Sequence, residues 1–349
     1  MLSRTADHLL WMTRYTERAE NTARVLEANY QLLLLPHSDQ YAELGWRAVL
    51  SIFELNGPYA ARHDGINSRN VIDFMSRDTT NPSSIRSCVR AARENARAVR
   101  GSTNSELWET LNMTWLDCER MLADGILDRE PLAFFEWVKS RSHLSRGVQC
   151  GTLVRDDAFY FMLLGASIER ADNTARILDV KLEMIEQCAD TPVEHFDYYH
   201  LTAVLGCVSG LEAYRRVYRD VVTPQRVAAL LILYRDWPRS MASSLSEMEE
   251  VMAHLTKGRR DSYAARLAAQ LSVELKRGDI VAILGGGLHK YLRSFVARVN
   301  ELASHIGREF LLPGAPGMRQ TQARSEPPER TAGSHLNRKA PLSKCVPSA

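Results

Sequence analysis

The sequence carries no excess of either charge, no paired cysteines and no long apolar run, and each absence removes a class of function. Lys plus Arg number 44 against 42 for Asp plus Glu, so nothing marks a basic surface built for nucleic acid. The six cysteines (Cys88, Cys118, Cys150, Cys188, Cys207 and Cys345) stand singly, without a C-x-x-C pair. That spacing fits reduced thiols and argues against a disulfide frame or a zinc site. No stretch approaches the roughly 18 apolar residues of a membrane span, and MLSRTADHLLWMTR breaks the apolar run that a secretory leader requires. The expectation is a soluble cytoplasmic protein that engages neither membrane nor nucleic acid. Neither Glu17 nor Glu169 is followed three residues later by His, as di-iron bundles require, so no metal and no cofactor is expected. Gly285 to Gly287 lack the Gly-Lys-Ser/Thr of a phosphate loop and read as a turn between helices. Serine and histidine show no triad arrangement.

What the sequence does contain is one helix written twice. ERAENTARVLE, starting at Glu17, returns as ERADNTARILD at Glu169, with eight of eleven positions identical and the others Glu/Asp or Val/Ile swaps. Such a match signals internal duplication. Around the first copy Leu9, Met12, Thr16, Ala19, Ala23, Leu26, Tyr30 and Leu33 recur at steps of three and four. Around the second, Phe161, Leu164, Ile168, Ala171, Ala175, Leu178, Leu182 and Ile185 do the same. Both are apolar helical seams.

Glu17, Asn21 and Arg24 lie on the side away from that seam, yet Leu10 and Ala28 share it, as Met162, Ala166 and Val180 do in the second copy. Polar groups framed by apolar residues all round predict a central, enclosed helix. Enclosed charges need partners, because one left alone costs several kcal/mol. The local expectation pairs Glu17 with Arg18 and Arg24, and Glu169 with Arg170 and Arg176, with Asn21 and Asn173 donating and accepting in each cluster. Two readings stand side by side. The clusters are polar networks that fix helix register, or they bind an anionic ligand or a partner's carboxylate through Arg24 and Arg176. Arg239, after Pro238 at an expected helix start, is a further anion candidate.

Further along, helices are expected at 41 to 59, from Pro82 to Gly101, at 104 to 123, 130 to 145 and 195 to 219, from Pro224, from Pro238, and at 259 to 277 and 288 to 311. Only IVAIL at 280 to 284 hints at a strand. WPRSM from Trp237 aligns with NPSSI from Asn81, which extends the repeat to about 150 residues. The expected fold is an all-α bundle of two pseudo-symmetric repeats, 1–155 and 156–312, sharing one core and followed by a disordered tail at 313–349 rich in Pro, Gly, Ser and charge.

ERAENTAR, FMSRDTTNPSSI, ARENARAVRG and DWPRSM, in this order, resemble the Alpha-E family, a bacterial all-helical domain named for a Glu-Arg (ER) motif. The resemblance spans residues 1 to 311. Glu17-Arg18 matches the motif and Glu169-Arg170 matches it again. The family resemblance implies an ATP-grasp ligase as partner, a transglutaminase-like protein nearby, and a role in forming or modifying peptide-like amide bonds. It assigns no reaction to the helical domain itself.

Overall fold

The structure, a computed structural model, describes residues 1–35, 39–187, 196–259 and 261–311. Among these residues there is no strand. In chain order the helices are α1 (Ser3–Leu32), α2 (Asp39–Ile52), α3 (Asn56–Ala60), α4 (Ser68–Ser76), α5 (Ile85–Ala98), α6 (Ser105–Ala123), α7 (Ile126–Arg129) and α8 (Pro131–Thr152). They continue as α9 (Asp157–Gln187), α10 (Phe196–Cys207), α11 (Leu211–Tyr218), α12 (Pro224–Leu233), α13 (Met241–Thr256), α14 (Tyr263–Lys276), α15 (Ile280–Gly285) and α16 (Leu288–Ile306). A π-helical turn, Gly307–Leu311, follows α16.

The duplicated stretches are the two longest helices, and they sit at the centre. The seam residues Leu9, Met12, Ala19, Ala23 and Leu26 of α1 are buried, and so are Phe161, Leu164, Ile168, Ala171, Ala175 and Leu178 of α9. The opposite faces are covered too, because Leu10, Ala28 and Met162 are also buried. α1 and α9 pack on each other along a long contact. A Cβ on Gly165 of α9 would stand 2.2 Å from the Leu10 carbonyl oxygen, so only glycine permits this crossing. There Thr13 Oγ1 of α1 donates to the Met162 carbonyl of α9 at 2.7 Å, which gives a buried hydroxyl its partner.

The other helices pack around this pair. α5 lies along α1 and α13 along α9, with α6 behind α5 and α14 behind α13. α8 covers α1, and α16 covers α9. α2 and α10 cross over, α2 packing chiefly on α9 and α10 chiefly on α1. One contiguous apolar core runs from Ala6 to Phe310 through all of them.

Several boundaries differ from those the sequence predicts, for local reasons. The helix expected at 41 to 59 is two, because Glu54 takes a left-handed conformation (φ 57°) and closes α2 with a bond from Leu55 N to Leu50 O at 2.9 Å. The helix expected at 195 to 219 is broken in the same way at Ser209 (φ 52°), with Gly210 N bonding Leu205 O at 2.7 Å. Neither position carries the glycine that usually announces such a stop. Pro82 and Pro238 lie before their helices and not in the first turn. Ser84 and Ser240 are the N-caps, accepting from Ser87 N and Ser243 N. IVAIL is helical, in α15, and the triple glycine turns the chain into α16 with Gly287 at φ 94°. The tail expected to be disordered lies outside the described residues.

Candidate functional site

Glu17, Asn21 and Arg24 are buried as the patterning predicts, the first two 1% exposed and Arg24 5%, and Glu169 and Arg170 are buried with them, whereas Arg18, Asp172 and Arg176 are half-buried. Their partners are not the local ones. Glu17 accepts from Arg170 of the other copy at 3.0 Å, and Glu169 accepts from Arg18 at 2.5 and 3.0 Å. Each motif glutamate is thus bound by the motif arginine of the other helix, and the expected Glu17–Arg18 and Glu169–Arg170 pairs are replaced by two crossed ones. The physical reason lies in helix geometry. Adjacent side chains on one helix point about 100° apart, so they diverge, whereas the α1–α9 contact brings 17 beside 170 and 18 beside 169.

The cluster about Glu17 is crowded with cations. Arg146 of α8 bridges Glu17 Oε2 (3.0 Å) and Glu20 Oε2 (2.6 Å). Arg239 reaches Glu17 Oε1 at 3.2 Å, donates to Asn21 Oδ1 at 3.0 Å and also bonds Glu20. Arg24 gives Nε and Nη2 to Glu20 at 3.1 and 2.7 Å, and bonds Ser209 through Nη1. His143 stands 3.4 Å from Glu20 at the solvent side. Burial alone would raise Glu17, but Arg170, Arg239 and Arg146 outweigh it and bring its pKa down to about 2. Glu20 is likewise held well below the usual carboxylate range by Arg239, Arg146 and Arg24 against burial. Arg239 is itself lowered by burial. It sits one residue before the Ser240 cap, and its guanidinium is spent on carboxylates, contrary to an anion site at the helix start.

The cluster about Glu169 is more open. Arg14 and Arg18 hold this carboxylate, with Arg14 Nε at 3.0 Å, and keep it lowered against burial. Arg176 bonds Asp172 Oδ2 at 2.8 Å and Glu54 Oε1 at 2.6 Å. The forks of both Arg24 and Arg176 are therefore occupied by protein groups. Asp172 is raised by burial, and its Oδ1 has no hydrogen-bond partner. Beside these groups a cleft of about 240 Å³ opens. It is lined by the residues of this cluster together with Asn21, Asn173, Ser83 and Asn300, and by Ile52 and Phe53 on its apolar side. Glu169 and Arg176 line the cleft, whereas Glu17 and Arg24 belong to the filled cluster.

Sequence reasoning missed Glu20, Asp172, Arg14 and Arg146. Glu20 and Asp172 carried a signal, since both lie within the repeat and four residues before its arginine. Arg146 carried none, because only the packing of α8 on α1 brings it in. On α5, Glu94 pairs with Arg93 and Arg97, and Asn95 bonds His8 of α1 at 2.7 Å. Among the described residues no three His, Cys, Asp or Glu side chains converge as metal ligands, and no helix is long and apolar enough to cross a membrane.

The crossed pairs give a Glu-Arg dipeptide a structural meaning, and residues 1–311 match the family model described as a predicted alpha-helical domain with a conserved ER motif. The chain belongs to the Alpha-E family. No curated protein and no solved structure matches it. In this Alpha-E chain both Glu-Arg dipeptides lie on the central helix pair, with Glu17, Glu169 and Arg170 buried and Arg18 half-buried at the cleft.

Proposed function

We propose that this Alpha-E chain is a duplicated, non-catalytic binding module of the cytoplasm. It works beside an ATP-grasp ligase in forming or modifying peptide-like amides, with a transglutaminase-like protein as a second associate. The ligase and the amide chemistry come from the family resemblance. The observation that carries the non-catalytic reading is the state of the motif glutamates. Both are clamped by arginines and held ionised far below neutrality. A general acid or base must exchange a proton near the working pH, and neither carboxylate is tuned for that.

Duplication into halves 1–155 and 156–312 is supported by contacts that repeat at an offset of 152 to 156. Glu17–Arg170 answers Glu169–Arg18. Arg24–Ser209 answers Arg176–Glu54, with 54 and 209 both left-handed. Ser84 and Ser240 cap equivalent helices. Mutual exchange of equivalent contacts is what a twofold relation produces.

Affinity capture of the chain from its own cells tests the partnership. Co-elution of an ATP-grasp ligase, lost on charge reversal along exposed faces such as Arg97 and Arg120, supports it; a clean monomer with no ligase counts against it. The second reading, an enzyme acting on a carboxylate or amide, is favoured by the cleft at Glu169. It fails if Glu17→Gln and Glu169→Gln lower the melting temperature and leave the activity of the whole system intact.

A further inference from the structure

The two clusters share their repeated residues but differ in what fills them. In the first, Arg239 and Arg146 complete the network over Glu17 and Glu20. Aligning WPRSM with NPSSI sets Ser83 opposite Arg239, and matching α8 to α16 at an offset of 154 sets Asn300 opposite Arg146. Both short residues line the cleft. The cleft is therefore the space that two arginine side chains occupy in the other half.

Removing those arginines leaves unmet bonding on both sides. Asp172 is the counterpart of Glu20, which binds three guanidiniums. Asp172 has only Arg176, a guanidinium it shares with Glu54, and its Oδ1 is unpartnered. Two acids on one cation leave an excess of one negative charge here. One helical turn away, about 4.5 Å along α9, Arg14 and Arg18 share the single carboxylate of Glu169 and leave an excess of one positive charge. Asn21, 1% exposed, spends Oδ1 on Arg239 while its Nδ2 has no partner, and this residue lines the same cleft. A buried donor and a buried acceptor left unmet each cost free energy that a ligand can recover.

We propose that this cleft binds a small zwitterion, an amino acid or dipeptide. Its ammonium or guanidinium group lies against Asp172 where Arg239 lies against Glu20, and its carboxylate is turned toward Arg14, Arg18 and Asn21. Asn173, Ser83 and Asn300 supply further donors and acceptors for an amide. The proposal rests on the binding-module reading above and gives that module its ligand class. Its test uses the full chain without a ligase, so either idea can fail without the other.

Isothermal calorimetry at millimolar ligand measures L-arginine and L-alanyl-L-alanine against their N-acetyl and C-amide forms, and against guanidinium and acetate alone. At least one zwitterion is expected to bind saturably, with blocked forms and single ions about tenfold or more weaker. Asp172→Asn should weaken binding by a similar factor. Ser83→Arg, which restores a missing arginine, should abolish binding while keeping or raising the melting temperature. Absence of saturable binding by both zwitterions overturns the proposal. So does equal binding of the blocked forms or of acetate, or unchanged binding in a folded Ser83→Arg protein.

Discussion

At the scale of single residues, burial decides which charges matter. Glu17 is enclosed and faces Arg170, Arg146 and Arg239, so Glu17→Gln takes from Arg170 its close carboxylate and leaves Arg146 and Arg239 to share Glu20 alone. Breaking a buried network from one side costs about 3–5 kcal/mol. A fall in the denaturation midpoint of that order is expected, whereas Glu43→Gln, whose partner Arg47 is itself half exposed, should change stability by less than about 1 kcal/mol. Equal effects from the two would contradict the burial argument. The thiols divide in the same way. Cys88 and Cys118 are pushed up to about 12 by burial, and Cys207 is also raised, while Cys150 is exposed. Because the thiolate is the reactive form, iodoacetamide mapping of the native chain at mild alkaline pH should modify Cys150 and spare Cys88, Cys118 and Cys207 until denaturant is added. Labelling of Cys88 at the rate of Cys150 would contradict the packing of α1 on α5.

At the scale of elements, the crossing of α1 and α9 depends on a single missing side chain. In a free helix Gly→Ala gains about 1 kcal/mol. At Gly165 the new Cβ would overlap the Leu10 carbonyl, and overpacking of this kind costs about 1–3 kcal/mol or more. Gly165→Ala is therefore expected to lower the unfolding midpoint. A rise would mean that the two helices do not touch there. The elements themselves were largely legible in the sequence, because periodicity of the seam, the caps and the proline positions report local physics. The breaks at Glu54 and Ser209 were not legible, since the left-handed stop falls on residues with no preference for it and is held by packing. The site was half legible. Enclosure of Glu17, Asn21 and Arg24 followed from apolar residues on all sides of the helix, but partner choice did not. The sequence places Arg18 next to Glu17, and only the docking of two helices gives Arg170 instead. Arg14 enters through that same contact, and Arg146 through the packing of α8 on α1.

At the scale of the whole molecule, buried titratable groups set the acid limit of the fold. His200 is neutral in the native state, pushed down to about 4 from 6.5 by burial and then by Lys181. Between those values the unfolded chain takes up a proton that the folded chain refuses, so stability falls as pH drops through the window, by on the order of 3 kcal/mol. Glu17 acts lower. Held at about 2 against 4.5, it contributes fully above 4.5, and that contribution is lost as pH falls toward 2. Urea unfolding at a series of pH values should show stability declining from about 6.5 and more steeply below 4.5. A flat profile from 7 to 4 would contradict the neutral, buried state of His200.

The join between the two central helices holds the helical bundle together, and a pair of double-mutant cycles probes it. Thermodynamic coupling is measured between Glu17→Gln and Arg170→Gln, and between Glu17→Gln and Arg18→Gln, by denaturant unfolding. The crossed pair is expected to couple by about 1–3 kcal/mol and the adjacent pair by less than about 0.5 kcal/mol. Strong coupling of Glu17 to Arg18, with none to Arg170, would contradict the exchange of partners between α1 and α9.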